Sequence, residues 1–313
     1  MTQMSAAQAE HAAEAIISGW NARPVPRKDI ASTNALTVDV EDYFQVEAFA
    51  GLIDRADWDS YECRIERNVD RILRMLHETE SRATFFVLGW IAERYPALVR
   101  DIVAGGHELA SHGYAHQRSD RISQELFSSD ITRAKVLLEC IGGVEVKGYR
   151  APSFSVSKSN LWFMETVAAA GYRYSSSTHP IPSDNYGIPE GPRFAFYPFA
   201  GSDFVEIPVT CVRFAGVNWP CGGGGYFRLL PYGLSEFGLR SVSRAEKQPC
   251  VFYFHPWEID PEQPRIAGAP MKSRIRHYLN LAKTEERLRR LLSAMPWRRM
   301  DEVFPIAAAQ IRN

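Results

Sequence analysis

The sequence predicts an α/β fold in which about seven parallel strands are enclosed by helices, as in a (β/α) barrel. Three observations predict it. Short apolar runs of strand character alternate with segments of helical hydrophobic period along most of the chain. The length of 313 residues and the 45% hydrophobic content supply one large core. The polar residues of chemical interest, Asp39, Glu41, His112, Arg150, Ser175 and His255, all fall at or just past the C-terminal end of an expected strand. In a parallel barrel those ends share one mouth, where active sites lie, whereas polar residues placed at random would fall at both ends.

Residues 1–33 read as an N-terminal extension, with a short helix over Ala6–Ser18 stopped by Pro24 and Pro26. Ala35–Phe44 opens as a strand and closes on three carboxylates, Asp39, Glu41 and Asp42. Crowded acids repel one another unless a cation or hydrogen-bond donors compensate. Glu62–Glu80 carries Ile65, Val69, Ile72, Leu73 and Leu76 at helical spacing. Ala83–Leu88 is a strand, Ala92–Ala104 a helix capped by Gly105 and Gly106, and His107–Ser111 the next strand. Ser123–Ile141 is a helix with Leu126, Phe127, Ile131, Ala134, Leu137 and Leu138 inward. Val146–Arg150 is a strand, Ser157 caps a helix running to Ala170, and Tyr172–Ser176 is a strand. Pro180–Pro198 reads as loops over one face. Phe204–Val209 is a strand, Trp219–Arg228 a glycine-rich loop, Leu234–Ala245 a helix, and Cys250–Trp257 the last strand. Ile275–Leu292 is a charged amphipathic helix packed outside. The expected division is an extension over 1–33, a barrel over 34–260 and a C-terminal helical segment over 261–313.

A formal net charge of −1 points to neither nucleic acid nor an anionic membrane as partner. Cys63, Cys140, Cys211, Cys221 and Cys250 are scattered and odd in number, with no Cys-x-x-Cys, so free thiols in a reducing compartment are expected. No secretory signal opens the chain and no run reaches membrane-spanning length; a cytoplasmic location is expected.

The chemistry starts at His112 and His116. Gly113 lets the chain turn between them, so two imidazoles can converge on one cation. Histidines at this spacing are common at surfaces, so the motif alone is weak. A divalent ion held this way needs a carboxylate from elsewhere and an open position for water. An unligated carboxylate, Asp39, can then take a proton from water, and a histidine on the opposite side, His255, can give one to a leaving nitrogen. Arg150 can pair with the basic carboxylate. That set hydrolyses an amide or ester. Ser153 and Ser175–Ser177 lie in no Gly-x-Ser-x-Gly elbow, which argues against a serine nucleophile. The glycine run before Arg228 has no Lys-Ser/Thr and is no phosphate cradle. Trp219, Tyr114 and Trp257 suit either a core or a sugar-stacking surface.

Over roughly residues 35 to 260 the chain resembles the polysaccharide deacetylases, the metal-dependent carbohydrate esterase family four group. Thr37-Val38-Asp39-Val40-Glu41-Asp42 is similar to that family's first motif. Ser111-His112-Gly113-Tyr114-Ala115-His116 is similar to its His-Ser/Thr-x-x-His motif, Tyr149–Phe154 to its Arg-x-Pro motif, and Phe254-His255-Pro256 to its His-Pro motif. Asp39–Phe44, Gly223–Arg228 and the C-terminal helix resemble the deacetylases associated with bacterial exopolysaccharide loci. The resemblance implies a distorted (β/α) barrel of about seven strands, a zinc-like divalent ion, and removal of acetyl groups from an N-acetylated glycan. It implies Asp39 as base, His112 and His116 as metal ligands, Arg150 as partner of the base and His255 as acid.

Two departures stand out. The family's second aspartate falls on Val40, so Glu41 or Asp42 must be the third ligand; a continuing strand would put Glu41 on the face of Asp39, which favours Glu41. Tyr174–Ser177 lacks the family's aspartate that tunes the acid histidine, leaving Asp184, Glu206 and Glu258 as substitutes. Two other functions fit the same residues: an allantoinase-like hydrolase of a small cyclic amide, and a glycan-binding relative with impaired catalysis.

Overall fold

A computed structural model describes residues 23–26, 33–157, 159–160, 162–183 and 187–306. Its strands are β1 (Arg23–Pro24), β2 (Asn34–Val40), β3 (Thr84–Val87), β4 (Glu108–Ser111), β5 (Gly148–Tyr149), β6 (Tyr174–Ser175), β7 (Phe196–Tyr197), β8 (Val205–Glu206), β9 (Cys211–Phe214), β10 (Val217–Pro220), β11 (Val251–Phe254) and β12 (Trp297–Arg298). β8, β6, β5, β4, β3, β2 and β11 lie side by side in that order, every neighbouring pair parallel. Every residue of β2, β3, β4 and β11 is buried. That is why none of these strands shows a solvent-facing polar alternation: a sheet covered on both faces has no exposed side. The fold is the distorted α/β barrel that the alternation of elements predicts.

The barrel closes between β8 and β11 without a regular strand. Val209 N–H donates to the Thr178 carbonyl and Thr210 N–H to that of Val251. Tyr253 N–H donates to the Gly222 carbonyl, and Gly223 pairs with Tyr253 as a parallel bridge. Gly223 has φ +115°, and a Cβ there would come within 1.9 Å of the Tyr253 carbonyl oxygen, so this closure admits only glycine. β9 and β10 form an antiparallel hairpin outside the main sheet.

Helices cover the outer face. Ile65–Glu78 buries Ile65, Val69, Ile72, Met75 and Leu76. Gln124–Gly142 starts where the Ser123 side chain accepts from Leu126 N–H and stops at Gly143, in the left-handed conformation. Leu126, expected inward, is exposed; the buried stripe is Phe127, Ile131, Ala134 and Leu138.

Several expected boundaries differ, each for a local reason. The helix expected over Ala92–Ala104 is two, Gly89–Arg94 and Pro96–Ala104, because Pro96 lacks an N–H and starts a new helix. Phe163–Ala169 is shorter than expected: Ser157 N–H is held by the Asn160 side chain instead of opening a helix. The stretch read as a loop up to Arg228 contains a helix, Gly224–Leu229, and Trp219 belongs to β10. The C-terminal helix breaks into Met271–Tyr278 and Leu281–Ala294 at Asn280, whose φ is +56°. The region expected as loops over 180–198 supplies β7. The helix expected over Ala6–Ser18 lies outside the described residues.

The C-terminal segment also supplies β12, which pairs parallel with the start of β2 and seats Trp297 fully buried. Among the described residues no helix is long and apolar enough to cross a membrane.

Candidate active site

β2 carries Asp39 into the barrel as one of the last residues of the strand, and the chain turns at once: Glu41 N–H donates to the Asp39 carbonyl at 3.0 Å. Glu41 therefore reaches the site from a turn, not from the continuing strand that favoured it in the sequence. Asp42 does not reach the histidines. Its Oδ1 accepts from Tyr43 N–H and its Oδ2 from Arg64 N–H, so it pins the turn to the start of the following helix. Burial pushes the Asp42 carboxyl up to about 6, against the pull of those donors.

His112 follows β4 and His116 ends the loop. Glu41, His112 and His116 are all buried, and one donor atom from each lies within 4.8 Å of the others. His112 Nδ1 is 2.9 Å from the Arg150 carbonyl oxygen, which can only accept, so Nδ1 carries the proton and Nε2 is left for a ligand bond. Burial, helped by the charge of Arg150 and only partly offset by Asp39 and Glu41, pushes His112 down to about 4, so it is neutral at physiological pH. His116 Nε2 lies 2.6 Å from Glu41 Oε2, a buried oxygen with no other partner among the described residues. Burial raises the Glu41 carboxyl, but the charges of His116 and His255 outweigh it and hold it well below the carboxylate range. A neutral imidazole, a second imidazole and an orphaned ionised oxygen are the donor set a divalent cation takes, so these residues fit a metal.

The loop between the histidines is held from both sides. Asp130 accepts from Tyr114 N–H at 2.8 Å and Ala115 N–H at 3.2 Å. Arg55 donates to the Ala115 and His116 carbonyls at 2.7 and 3.0 Å. Gly113 has φ +77°, and a Cβ there would lie 2.8 Å from Asp130 Oδ2. His116 itself has φ +49°, an unfavourable conformation kept by these contacts.

Asp39 is held by Arg150. Arg150, fully buried, donates from Nη1 to Asp39 Oδ1 at 2.7 Å and to Thr37 Oγ1 at 2.7 Å, from Nε to the Ser176 carbonyl at 2.9 Å and from Nη2 to Ser176 Oγ at 2.8 Å. Ser177 Oγ accepts from Ala151 N–H, so the serines after β6 brace Arg150 and its neighbour and attack nothing. His255 follows β11 and places Nε2 3.5 Å from Glu41 Oε1 and 4.0 Å from Asp39 Oδ2.

Of the substitutes weighed for the absent aspartate, Glu258 touches the histidine: its Oε1 is 2.5 Å from His255 Nδ1. Glu206 is committed to Ser177 N–H and Thr178, and Asp184 lies outside the described residues. Burial lowers the affinity of His255 for a proton, but Glu41, Glu258 and Asp39 outweigh it and raise it to about 9. Arg228, which sequence reasoning read as part of a loop, donates from Nε to Glu258 Oε2 at 2.7 Å. Trp257 donates from Nε1 to Glu41 Oε1 at 3.3 Å, which places it beside the site. Tyr114 lies under Arg133 and bonds Glu93, while Trp219 is exposed on its hairpin.

The class these features define is a parallel α/β barrel with an imidazole–carboxylate donor set at its mouth, between an arginine-paired aspartate and a carboxylate-paired histidine. Residues 57–175 match the polysaccharide deacetylase family and residues 176–305 a domain of unknown function, DUF3473. The chain carries a polysaccharide deacetylase domain. It is similar to a peptidoglycan-N-acetylglucosamine deacetylase of Bacillus cereus, 24% identical over 128 residues, which are 37% of this chain and 46% of the relative. It is similar to a chitooligosaccharide deacetylase of Azorhizobium caulinodans, 30% identical over 82 residues, 26% of this chain and 39% of the relative. The matches span less than half the length of these curated relatives. A crystal structure from Mycobacterium smegmatis described as a polysaccharide deacetylase superposes with a TM-score of 0.52 at 20% identity, over 94% of this chain and 100% of the other, and shares its fold. His112, His116 and Arg150 fall inside the deacetylase match; Asp39 and Glu41 precede it, and His255 falls in the DUF3473 match.

Proposed function

We propose that this protein is a metal-dependent N-deacetylase of an N-acetylated bacterial glycan, an exopolysaccharide or its oligosaccharide precursor. One observation carries the proposal: His255 Nε2 lies 4.0 Å from Asp39 Oδ2 and 3.5 Å from Glu41 Oε1, and Glu41, His112 and His116 bring one donor atom each within 4.8 Å of the others. Glu41, His112 and His116 would hold one divalent ion of the zinc type. When bound, such an ion polarises a carbonyl and makes water acidic enough to attack at neutral pH.

The remaining work belongs to the chain. Arg150 fixes Asp39 by its Oδ1, which leaves Oδ2 facing His255 across the site. The Asp39 carboxylate takes a proton as water adds to the acetyl carbon. His255, protonated at neutral pH and open to solvent at 17% exposure of its side chain, gives its Nε2 proton to the amide nitrogen as the C–N bond breaks. Acetate and the free amine leave, and proton exchange with water restores Asp39 and His255. The reading as a catalytically impaired relative rested on the absent aspartate; the contact of Glu258 with His255 supports a working acid instead.

Acetate release from N-acetylglucosamine oligosaccharides is the test. A chelator should stop it and added zinc should restore it. Hydrolysis of allantoin with no acetate release from any acetylated oligosaccharide would replace this reading with that of a small cyclic-amide hydrolase.

A further inference from the structure

The half of the chain beyond the deacetylase match, 176–305, contributes His255, Glu258 and Arg228. Glu258 is 1% exposed and its two oxygens have separate duties. Oε1 meets His255 Nδ1 at 2.5 Å and His255 N–H at 3.2 Å. Oε2 accepts from Arg228 Nε at 2.7 Å. Arg228 is 2% exposed, and its Nη1 donates to the carbonyls of His277 at 2.7 Å and Leu279 at 3.1 Å. Its guanidinium also lies 5.0 Å from the centre of the Trp257 ring, which stacks on His255.

A buried ion pair is a poor choice for stability alone, since well-packed apolar residues do as well or better. This pair sits directly behind the imidazole. An ionised carboxylate only accepts, so Nδ1 must carry hydrogen, and the ring is held with Nε2 toward Asp39 and Glu41. Arg228 in turn is fixed by backbone carbonyls at the end of Met271–Tyr278, so the chain of contacts ends on a helix.

We propose that Glu258 and Arg228 are positioning residues for His255: Glu258 sets its tautomer and orientation, and Arg228 holds Glu258 in register. This rests on the deacetylase reading above. It gives residues 176–305 a share in the chemistry: that segment supplies the proton donor together with the carboxylate and guanidinium behind it, and the deacetylase match contains His112 and His116. The short helix Gly224–Leu229 delivers Arg228, and the glycines before it let the chain pass against Tyr253.

The test uses the full chain with Glu258→Gln and with the double variant R228Q/E258Q, in which neither Arg228 nor Glu258 is left behind as a buried charge without the other. Two substrates separate positioning from general damage. An N-acetylated oligosaccharide has an amine leaving group that needs a proton; 4-nitrophenyl acetate has a leaving group that departs without one. In both variants the amide kcat should fall roughly a hundredfold further than the ester kcat, with the amide KM within about threefold. Nitrogen-15 NMR of His255, read without substrate at a pH above about 9 where the ring is neutral, should show Nδ1–H in the wild type and a mixture of tautomers in the variants. Glu258→Asp should recover part of the amide rate. Parallel losses on both substrates with the His255 tautomer unchanged would make the pair a structural tie and overturn the proposal. If Glu258→Gln fails to fold, the double variant gives the same comparison. If the wild-type protein releases no acetate from any glycan, the deacetylase reading fails, and the NMR measurement still decides whether Glu258 sets the tautomer.

Discussion

Asp39 and Asn differ by one oxygen, and Asp39→Asn keeps an oxygen for Arg150 while removing the proton acceptor. The kcat for acetate release should fall on the order of a hundredfold or more, with metal content unchanged; unchanged turnover would remove Asp39 from the chemistry. Arg150→Met should cost about 3–5 kcal/mol in urea unfolding, because Asp39 stays buried without its partner. These two residues were legible in the sequence because each closes an expected strand, and a parallel barrel brings such ends together. Arg228 was not legible. Its meaning depends on Glu258, and a glycine run that reads as a flexible loop hides a helix. Glu41 was preferred on the period of a strand that in fact ends at Val40; the turn after it, not the pleat, aims the side chain.

The loop from His112 to His116 is the element on which metal binding depends. Its left-handed His116 and its glycine are kept in place by Asp130 and Arg55, neither of which belongs to the donor set. Gly113→Ala forces a side chain into a left-handed conformation and against Asp130. Isothermal titration with zinc should show affinity weakened by roughly 10-fold or more, the range seen when groups that orient ligands are changed. An affinity equal to that of the wild type would mean that the loop does not set the geometry. The loop's existence follows from the sequence, since Gly113 sits between two histidines. Its anchors do not, because Asp130 lies on a helix and Arg55 in a distant turn, and no local pattern links them.

At the scale of the molecule, the C-terminal segment closes the end of the barrel opposite the site. β12 pairs with the start of β2, and Asp301 N–H donates to the buried Glu108 on β4 at 3.2 Å. Glu108 also bonds Thr84 and Tyr174. Burial, with the charge of Asp301 beside it, raises the Glu108 carboxyl to about 7 from its ordinary 4.5. A carboxyl raised in the folded state stabilises fully below pH 4.5, and its contribution is lost as pH rises through about 7. Urea midpoints taken from pH 5 to pH 8 should therefore decline more steeply in the wild type than in Glu108→Gln, and equal slopes would contradict that burial. The barrel was legible from the rhythm of strand and helix. The underside was not, since Trp297 and Arg298 follow a helix and form a strand too short to leave a periodic signal.

The central claim is that Glu41, His112 and His116 together hold one divalent ion, and metal stoichiometry by mass spectrometry on purified protein tests it most directly. The wild type and Asp39→Asn should each carry one zinc-type ion per chain, while Glu41→Gln and His116→Gln, folded by circular dichroism, should carry far less. Equal metal in Glu41→Gln and the wild type, or none in a folded wild type supplied with zinc, would contradict the account.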